Sequence, residues 1–192
     1  GCLSQRYSGE LSSEMPEVDH FLGSSDMLRL REVLDGSAPR ILVGNPASWV
    51  VSKSDPRTLS QTRHSAYVKI AEGCNRTCSF CVIPQIRGAQ RSRSIEDVVA
   101  EVEALVARGV VEVNLISQDT VAWGRDLPRP TRDGETEGER ARLADLVRRV
   151  ADVPGLHWAR VFYLYPETLD ERLIELLAHH PRVVPYVDMP LQ

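Results

Sequence analysis

The sequence predicts an α/β protein with parallel strands, and three observations carry the prediction. From residue 67 to residue 189, segments with strand and helix patterns alternate as strand, helix, strand, helix, strand, helix, strand. That order implies parallel strands joined by right-handed crossovers, in an open sheet or the first half of a closed barrel. The 192 residues suffice for about 1.3 domains, one sizeable core and part of another. Hydrophobic residues make up 42% and charged residues 26%, the balance of a chain that packs a core and far from that of a disordered one.

Residues 1–36 read as the tail of a small unit. Val18 to Leu22 suits a short strand, and Ser24 or Ser25 can cap a helix whose apolar positions are Met27, Leu30, Val33 and Leu34, with Gly36 as the left-handed stop. Residues 37–63 carry Pro39, Pro46 and Pro56 in mixed polar sequence, with only Ile41 to Val43 strand-like, and read as a loosely packed linker. The regular α/β pattern fills residues 64–192.

Within it, Tyr67 to Ala71 is the first strand. Ser94, with Asp97 three residues on, opens a helix with apolar face Ile95, Val98, Val99, Val102, Leu105 and Val106, and Gly109 ends it. Val111 to Ser117 is the second strand. A long polar loop from Gln118 to about Gly138 follows, of a length that suits function or disorder. The next helix buries Leu143, Leu146, Val147 and Val150. Pro154-Gly155 turns the chain into a third strand around Trp158 to Leu164. Thr168 with Glu171 forms a capping box for a helix bearing Leu169, Leu173, Leu176 and Leu177, and Val183 to Met189 is the fourth strand.

Several classes are excluded. The formal charge of -4 gives no general attraction to nucleic acid or anionic lipid. The longest charge-free apolar stretch, Ile41 to Ser52, is broken by Gly44 and Pro46 and falls short of the roughly 20 residues a membrane helix needs. No dinucleotide fingerprint follows a strand and no Walker loop is present. The chain starts without Met and stops just after a strand-like run, so it reads as a piece of a longer protein.

The chemistry concentrates in Gly73-Cys74-Asn75-Arg76-Thr77-Cys78-Ser79-Phe80-Cys81, in the loop that leaves the carboxyl end of the first strand, where parallel α/β folds build binding sites. Three of the four cysteines cluster there. That suits metal ligation in a reducing compartment, here the cytoplasm, better than a disulfide scaffold. Three thiolates can bind three irons of a cubane and leave the fourth iron open. A zinc site completed by His64 or Cys2 is the rival reading, although zinc ligands usually come as separated pairs. Gly73 and Asn75 argue against a buried helix carrying the cysteines on one face.

The C-x3-C-x2-C spacing resembles the radical S-adenosylmethionine (SAM) enzymes, whose open iron holds the amino and carboxylate groups of SAM. Tyr67-Val68-Lys69-Ile70-Ala71-Glu72-Gly73-Cys74-Asn75, Cys81-Val82-Ile83-Pro84, Ile86-Arg87-Gly88 and Ser92-Arg93-Ser94 resemble, more narrowly, the methylthiotransferases with two iron-sulfur clusters. Gly1-Cys2-Leu3-Ser4-Gln5-Arg6-Tyr7 is similar to the end of that family's N-terminal domain. The resemblance implies a partial (β/α) radical SAM barrel preceded by the tail of a small α/β domain. Cys74, Cys78 and Cys81 would then hold the SAM-binding 4Fe-4S cluster, and Cys2 would be one ligand of an auxiliary 4Fe-4S cluster. One SAM would donate a methyl group to sulfur at the auxiliary cluster, and another would generate the radical that opens the substrate carbon to methylthio.

Leu115-Ile116-Ser117-Gln118-Asp119-Thr120, Trp123-Gly124 and Asp188-Met189-Pro190-Leu191-Gln192 resemble the branch that modifies the β-carbon of an aspartate in ribosomal protein S-twelve. The transfer-RNA branch, with a nucleic-acid partner, is the alternative, and its loop more often reads Gly-Gln-Asn where this chain has Ser117-Gln118-Asp119. A noncatalytic zinc or iron-sulfur module is the alternative of another class. The family implies an electron donor such as a flavodoxin or ferredoxin and no membrane partner. With the other auxiliary ligands and the last strands missing, the piece is expected not to turn over by itself.

Ser117, Gln118 and Asp119 end the second strand on the binding edge and could contact the polar end of SAM, or form a strand-to-loop turn. Arg87, Arg91 and Arg93 could neutralise cluster or carboxylate charge, with a solvated basic stretch as the commoner case. Tyr163, Tyr165 and Asp188 fall at strand ends, where packing or hydrogen bonding is expected of them. His179 and His180 end a helix and suit its dipole.

Overall fold

The computed structural model describes residues 1–59, 62–128, 142–166 and 169–189. The chain's contacts form two compact units, Gly1–Val50 with Gly73–Gln90, and Val51–Glu72 with Arg91–Gln192. This grouping differs from the boundaries read in the sequence. The stretch 37–63, read in the sequence as a linker, divides between the two units, its residues up to Val50 grouping with the first and those from Val51 with the second.

The first unit opens with helix α1 (Cys2–Glu14), which the sequence pattern missed. The reason is visible in its burial: no α1 residue is buried, and Tyr7 leaves helical geometry at φ -129°, so no clean apolar stripe exists to be read. Strand β1 (Phe21–Leu22) pairs in parallel with β2 (Ile41–Leu42). Between them a 3-10 turn at Met27–Arg29 runs into α2 (Leu30–Leu34), and Gly36, at φ 72°, ends the helix as expected.

Neither serine caps that helix. Ser24 Oγ donates instead to the Ile86 carbonyl (2.7 Å) and Ser25 Oγ to the Pro46 carbonyl (2.6 Å), because both hydroxyls face backbone carbonyls from elsewhere in the unit. Asp26 stands at the start of the turn with its carboxylate accepting the Gly44 N–H (2.8 Å). Met27, Leu30 and Leu34 are exposed rather than packed.

The second unit holds the parallel sheet. Strand β3 (Ser65–Lys69) pairs with β6 (Glu112–Ile116), and β6 with β7 (Trp158–Val161), in the order β3-β6-β7. Alternate residues Ala66, Val68, Val113, Leu115, Ala159 and Val161 enter the core. Helices α4 (Ile95–Val106), α5 (Leu143–Ala151) and α6 (Glu171–His179) supply the rest of it, and each buried Val or Leu contributes about 1.5–3 kcal/mol. The opposite face of the sheet carries Tyr67, Lys69, Glu112, Asn114, Arg160 and Phe162.

The expected first strand is split. At Ile70 the chain changes partner: its N–H donates to Ile116 and its carbonyl accepts from Arg93. Ala71–Glu72 then form β4, antiparallel to β5 (Arg91–Ser92). Ser94 caps α4 as expected, accepting the Asp97 N–H at 3.2 Å, and Gly109 takes φ 92°. Of the loop after β6, residues 118–128 are described. The Thr168 cap lies outside the described residues, and Asp170 caps α6, its carboxylate accepting the Leu173 N–H at 2.8 Å. The fourth strand shrinks to one parallel bridge, Ala159 to Val183, since the next N–H in register, that of Tyr186, turns back onto the Val184 carbonyl (2.7 Å). No helix among the described residues is long and apolar enough to cross a membrane.

Candidate functional site

The cysteine segment belongs to the first unit and is a loop there, as Gly73 and Asn75 predict. Gly73 starts it at φ 80°, a backbone state open to glycine, and the Cys74 N–H donates to the Gly88 carbonyl (3.2 Å). The Asn75 carboxamide oxygen accepts the Gln90 N–H (3.0 Å), so the loop's two ends are tied together. The Arg76 N–H donates to Cys74 Sγ (3.4 Å), and the Cys81 N–H closes a turn onto the Cys78 carbonyl. Helix α3 (Ile83–Arg87) follows, with Pro84 in its first turn and Ile86 buried.

Cys74, Cys78 and Cys81 all line one cavity of about 350 Å³, together with Asn75, Gln85 and Ala89. Cys74 is buried, Cys78 half-buried and Cys81 exposed, and none is in a disulfide. Among the described residues, no three Cys, His, Asp or Glu side chains converge on a single-ion position. Three thiols lining one cavity are the donor set that a cluster whose irons each take one thiolate would need. Cys2 belongs to the same unit, on α1, which packs against α3, but it is not among the residues lining the cavity.

In the second unit, Ser117, Gln118 and Asp119 leave the carboxyl end of β6. Ser117 and Asp119 are buried, and Ser117 Oγ lies 3.2 Å from Thr120 Oγ1. Gln118 Oε1 is buried with no hydrogen-bond partner among the described residues, a carbonyl oxygen shaped for a donor to arrive. Ser117 thus makes its side-chain contact within the turn, whereas Gln118 Oε1 makes none among the described residues.

Arg93 is not part of a solvated basic stretch. Its side chain is 1% exposed. The guanidinium donates to Asp97 Oδ2 (2.6 Å), Glu101 Oε2 (2.6 Å) and the Lys69 carbonyl (2.7 Å), and Arg57 pairs with the same Glu101. Its spacing to Asp97 and Glu101, one and two helical turns on, was the available signal for this network. Trp123 Nε1 donates to the Arg93 carbonyl (3.1 Å), and the Asp126 carboxylate accepts both the Ser92 N–H (2.7 Å) and hydroxyl (2.6 Å). These bonds tie the loop after β6 to the β4–β5 stem, and sequence reasoning had no sign of Asp126.

His179 Nδ1 lies 3.1 Å from the Glu175 carbonyl, as a residue capping its own helix would, whereas His180 Nε2 lies 3.5 Å from Asp152 at the end of α5. Asp188 makes the strand-end bonds expected of it, accepting the Tyr163 N–H on its carboxylate (2.9 Å) and the Leu164 N–H on its carbonyl (2.8 Å).

The profile of the Radical SAM superfamily matches residues 68–192, and the chain belongs to that superfamily. Over 193 aligned positions covering all of this chain, it is 70% identical to the ribosomal protein uS12 methylthiotransferase RimO of Sorangium cellulosum (strain So ce56), 38% of which is covered. The RimO proteins of Anaeromyxobacter sp. (strain Fw109-5) and Myxococcus xanthus (strain DK1622) are 46% and 44% identical over the whole chain, with 39% and 38% of their lengths covered. The chain thus spans about two fifths of the length of these curated relatives. A solved structure of TsrM from Kitasatospora setae, a radical S-adenosylmethionine methyltransferase with cobalamin and a 4Fe-4S cluster bound, is 24% identical, with TM-score 0.42 over 58% of this chain and 20% of that one.

Proposed function

We propose that this chain is the central part of a radical SAM methylthiotransferase that modifies ribosomal protein uS12, at the β-carbon of an aspartate. The observation that carries the reading is the cysteine trio around one cavity, in a chain 70% identical along its whole length to a uS12 methylthiotransferase. In this reading Cys74, Cys78 and Cys81 hold the SAM-binding 4Fe-4S cluster, and Cys2 is one ligand of an auxiliary cluster completed by residues outside this chain. Residues 1–36 would end the family's N-terminal domain, and residues 64–192 would be the first part of the barrel. The electron donor is a flavodoxin or ferredoxin, and the compartment is the cytoplasm.

When bound, the cluster and SAM supply a one-electron cleavage that yields a radical able to take a hydrogen from the substrate. The chain's own residues do the rest. Gly73 and the Asn75–Gln90 bond fix the thiols' spacing. The Arg76 N–H bond to Cys74 Sγ orients that thiol. Gln118 Oε1 is suited to accept from the ammonium group of SAM, with Ser117 and Asp119 shaping the turn beside it.

The test is anaerobic reconstitution of the full-length protein with iron and sulfide, followed by electron paramagnetic resonance with and without SAM. A reduced-cluster signal that shifts on SAM addition, and a mass gain of one methylthio group on uS12, are expected. Cys78→Ala should remove the shifting signal, and Cys2→Ala should leave it in place. Tight zinc without any cluster, or no modification of uS12, would overturn the assignment.

A further inference from the structure

Tyr163 is the sole non-glycine residue with positive φ among the described residues, at 58°. A bulky side chain there is strained, and such strain persists where surrounding structure imposes it, commonly at ligand sites. The bend changes which side chains face the core. Ala159 and Val161 follow strand alternation into the core, yet the next core residue is Leu164, fully buried, three positions on instead of two. Tyr163 is thereby turned outward, 48% exposed, just past the carboxyl end of β7. Parallel sheets bind their ligands at that end. Asp188 holds the bend from the adjacent segment, taking the N–H groups of both Tyr163 and Leu164.

Phe162, the chain neighbour of Tyr163, belongs to a surface of defined chemistry. Tyr67, Phe162 and Tyr186 form an aromatic row across the helix-free face, with centroid separations of 6.4 and 6.1 Å. The cations of this face are already paired, Arg160 with Glu112 (3.1 Å) and Lys69 with Glu72 (2.6 Å). A phosphate backbone would require unpaired cations. An aromatic, charge-balanced wall suits polypeptide, whose aliphatic and cationic side chains pack on aromatic faces.

We propose that Tyr163 is a specificity-determining residue that contacts the polypeptide substrate beside the residue to be modified, with Asp188 as the positioning residue that holds it there. The inference rests on the methylthiotransferase reading. The test uses the full-length reconstituted enzyme with uS12. Tyr163→Gly removes the ring while suiting the left-handed backbone, and Tyr163→Asn, also tolerant of that region, is the second variant. Both should keep the SAM-dependent resonance shift, raise KM for uS12 about tenfold or more, and release more 5′-deoxyadenosine per modified product. Asp188→Asn, which retains an acceptor, should keep a near-normal KM, whereas Asp188→Leu should raise it as the tyrosine variants do. An unchanged KM and coupling in Tyr163→Gly would overturn the proposal. So would weakened SAM binding with KM for uS12 intact, which assigns the ring to the cofactor, or activity on a transfer RNA that depends on Tyr163. Wild-type enzyme inert toward uS12 would instead sink the underlying functional reading.

Discussion

Gly73 carries the heaviest local constraint in the cysteine loop. Its φ is 80°, and a Cβ there would stand 2.5 Å from the Gly88 oxygen and 2.7 Å from the Ala89 carbonyl carbon, both backbone atoms that cannot step aside. Gly73→Ala is therefore expected to distort the thiol spacing before it unfolds the protein, at a cost of about 1–3 kcal/mol. Iron and sulfide analysis after reconstitution should find less than a full cluster at the trio, and full loading would contradict this account. Arg93 is a different case, because it is buried against two carboxylates. Arg93→Met leaves Glu101 and Asp97 without their inner cation and should destabilise by about 3–5 kcal/mol, read by urea denaturation. A change under about 1 kcal/mol would mean that Arg57 alone satisfies Glu101.

At the scale of elements, the second unit depends on a helix cap and on a carboxylate that joins two of its segments. Ser94 caps α4, so Ser94→Ala should cost about 1 kcal/mol and lower Tm by a few degrees, without altering cluster content. Asp126 acts between elements, since its carboxylate joins the loop after β6 to Ser92. Asp126→Leu removes both bonds and should loosen Gln118 and its neighbours. The expected result is a higher SAM concentration for the half-maximal resonance shift, with iron content unchanged. An unaltered SAM titration would show that the loop is held by the Trp123 bond to Arg93 instead.

For the molecule as a whole, β3 lies at an edge of the sheet order β3-β6-β7, and Tyr67 on it is 55% exposed. On that edge the carbonyls of Ser65, Tyr67 and Lys69 already accept from the side chains of Thr62, Arg57 and Arg93, so another chain would pair through the strand's outward N–H groups. The 192-residue chain by itself should accordingly elute from gel filtration as self-associated species. Elution as a clean monomer would mean that the edge is protected in solution.

The cysteine spacing, the α/β alternation and the Ser94 cap were legible in sequence because each depends on local chemistry: ligand spacing, burial period, a side chain bonding three residues ahead. Helix α1 was not, having no buried stripe, and neither were the Ser24 and Ser25 contacts, whose partners lie far along the chain. The same holds for Arg93, which looked like one basic residue among several until packing enclosed it between Lys69, Asp97 and Glu101. Sequence by itself thus determined which atoms could ligate and which segments could be strands. Tertiary structure alone decided that three thiols share one cavity, that Asp126 reaches Ser92, and that Tyr163 is forced outward, because burial and long-range hydrogen bonds exist only once distant segments meet.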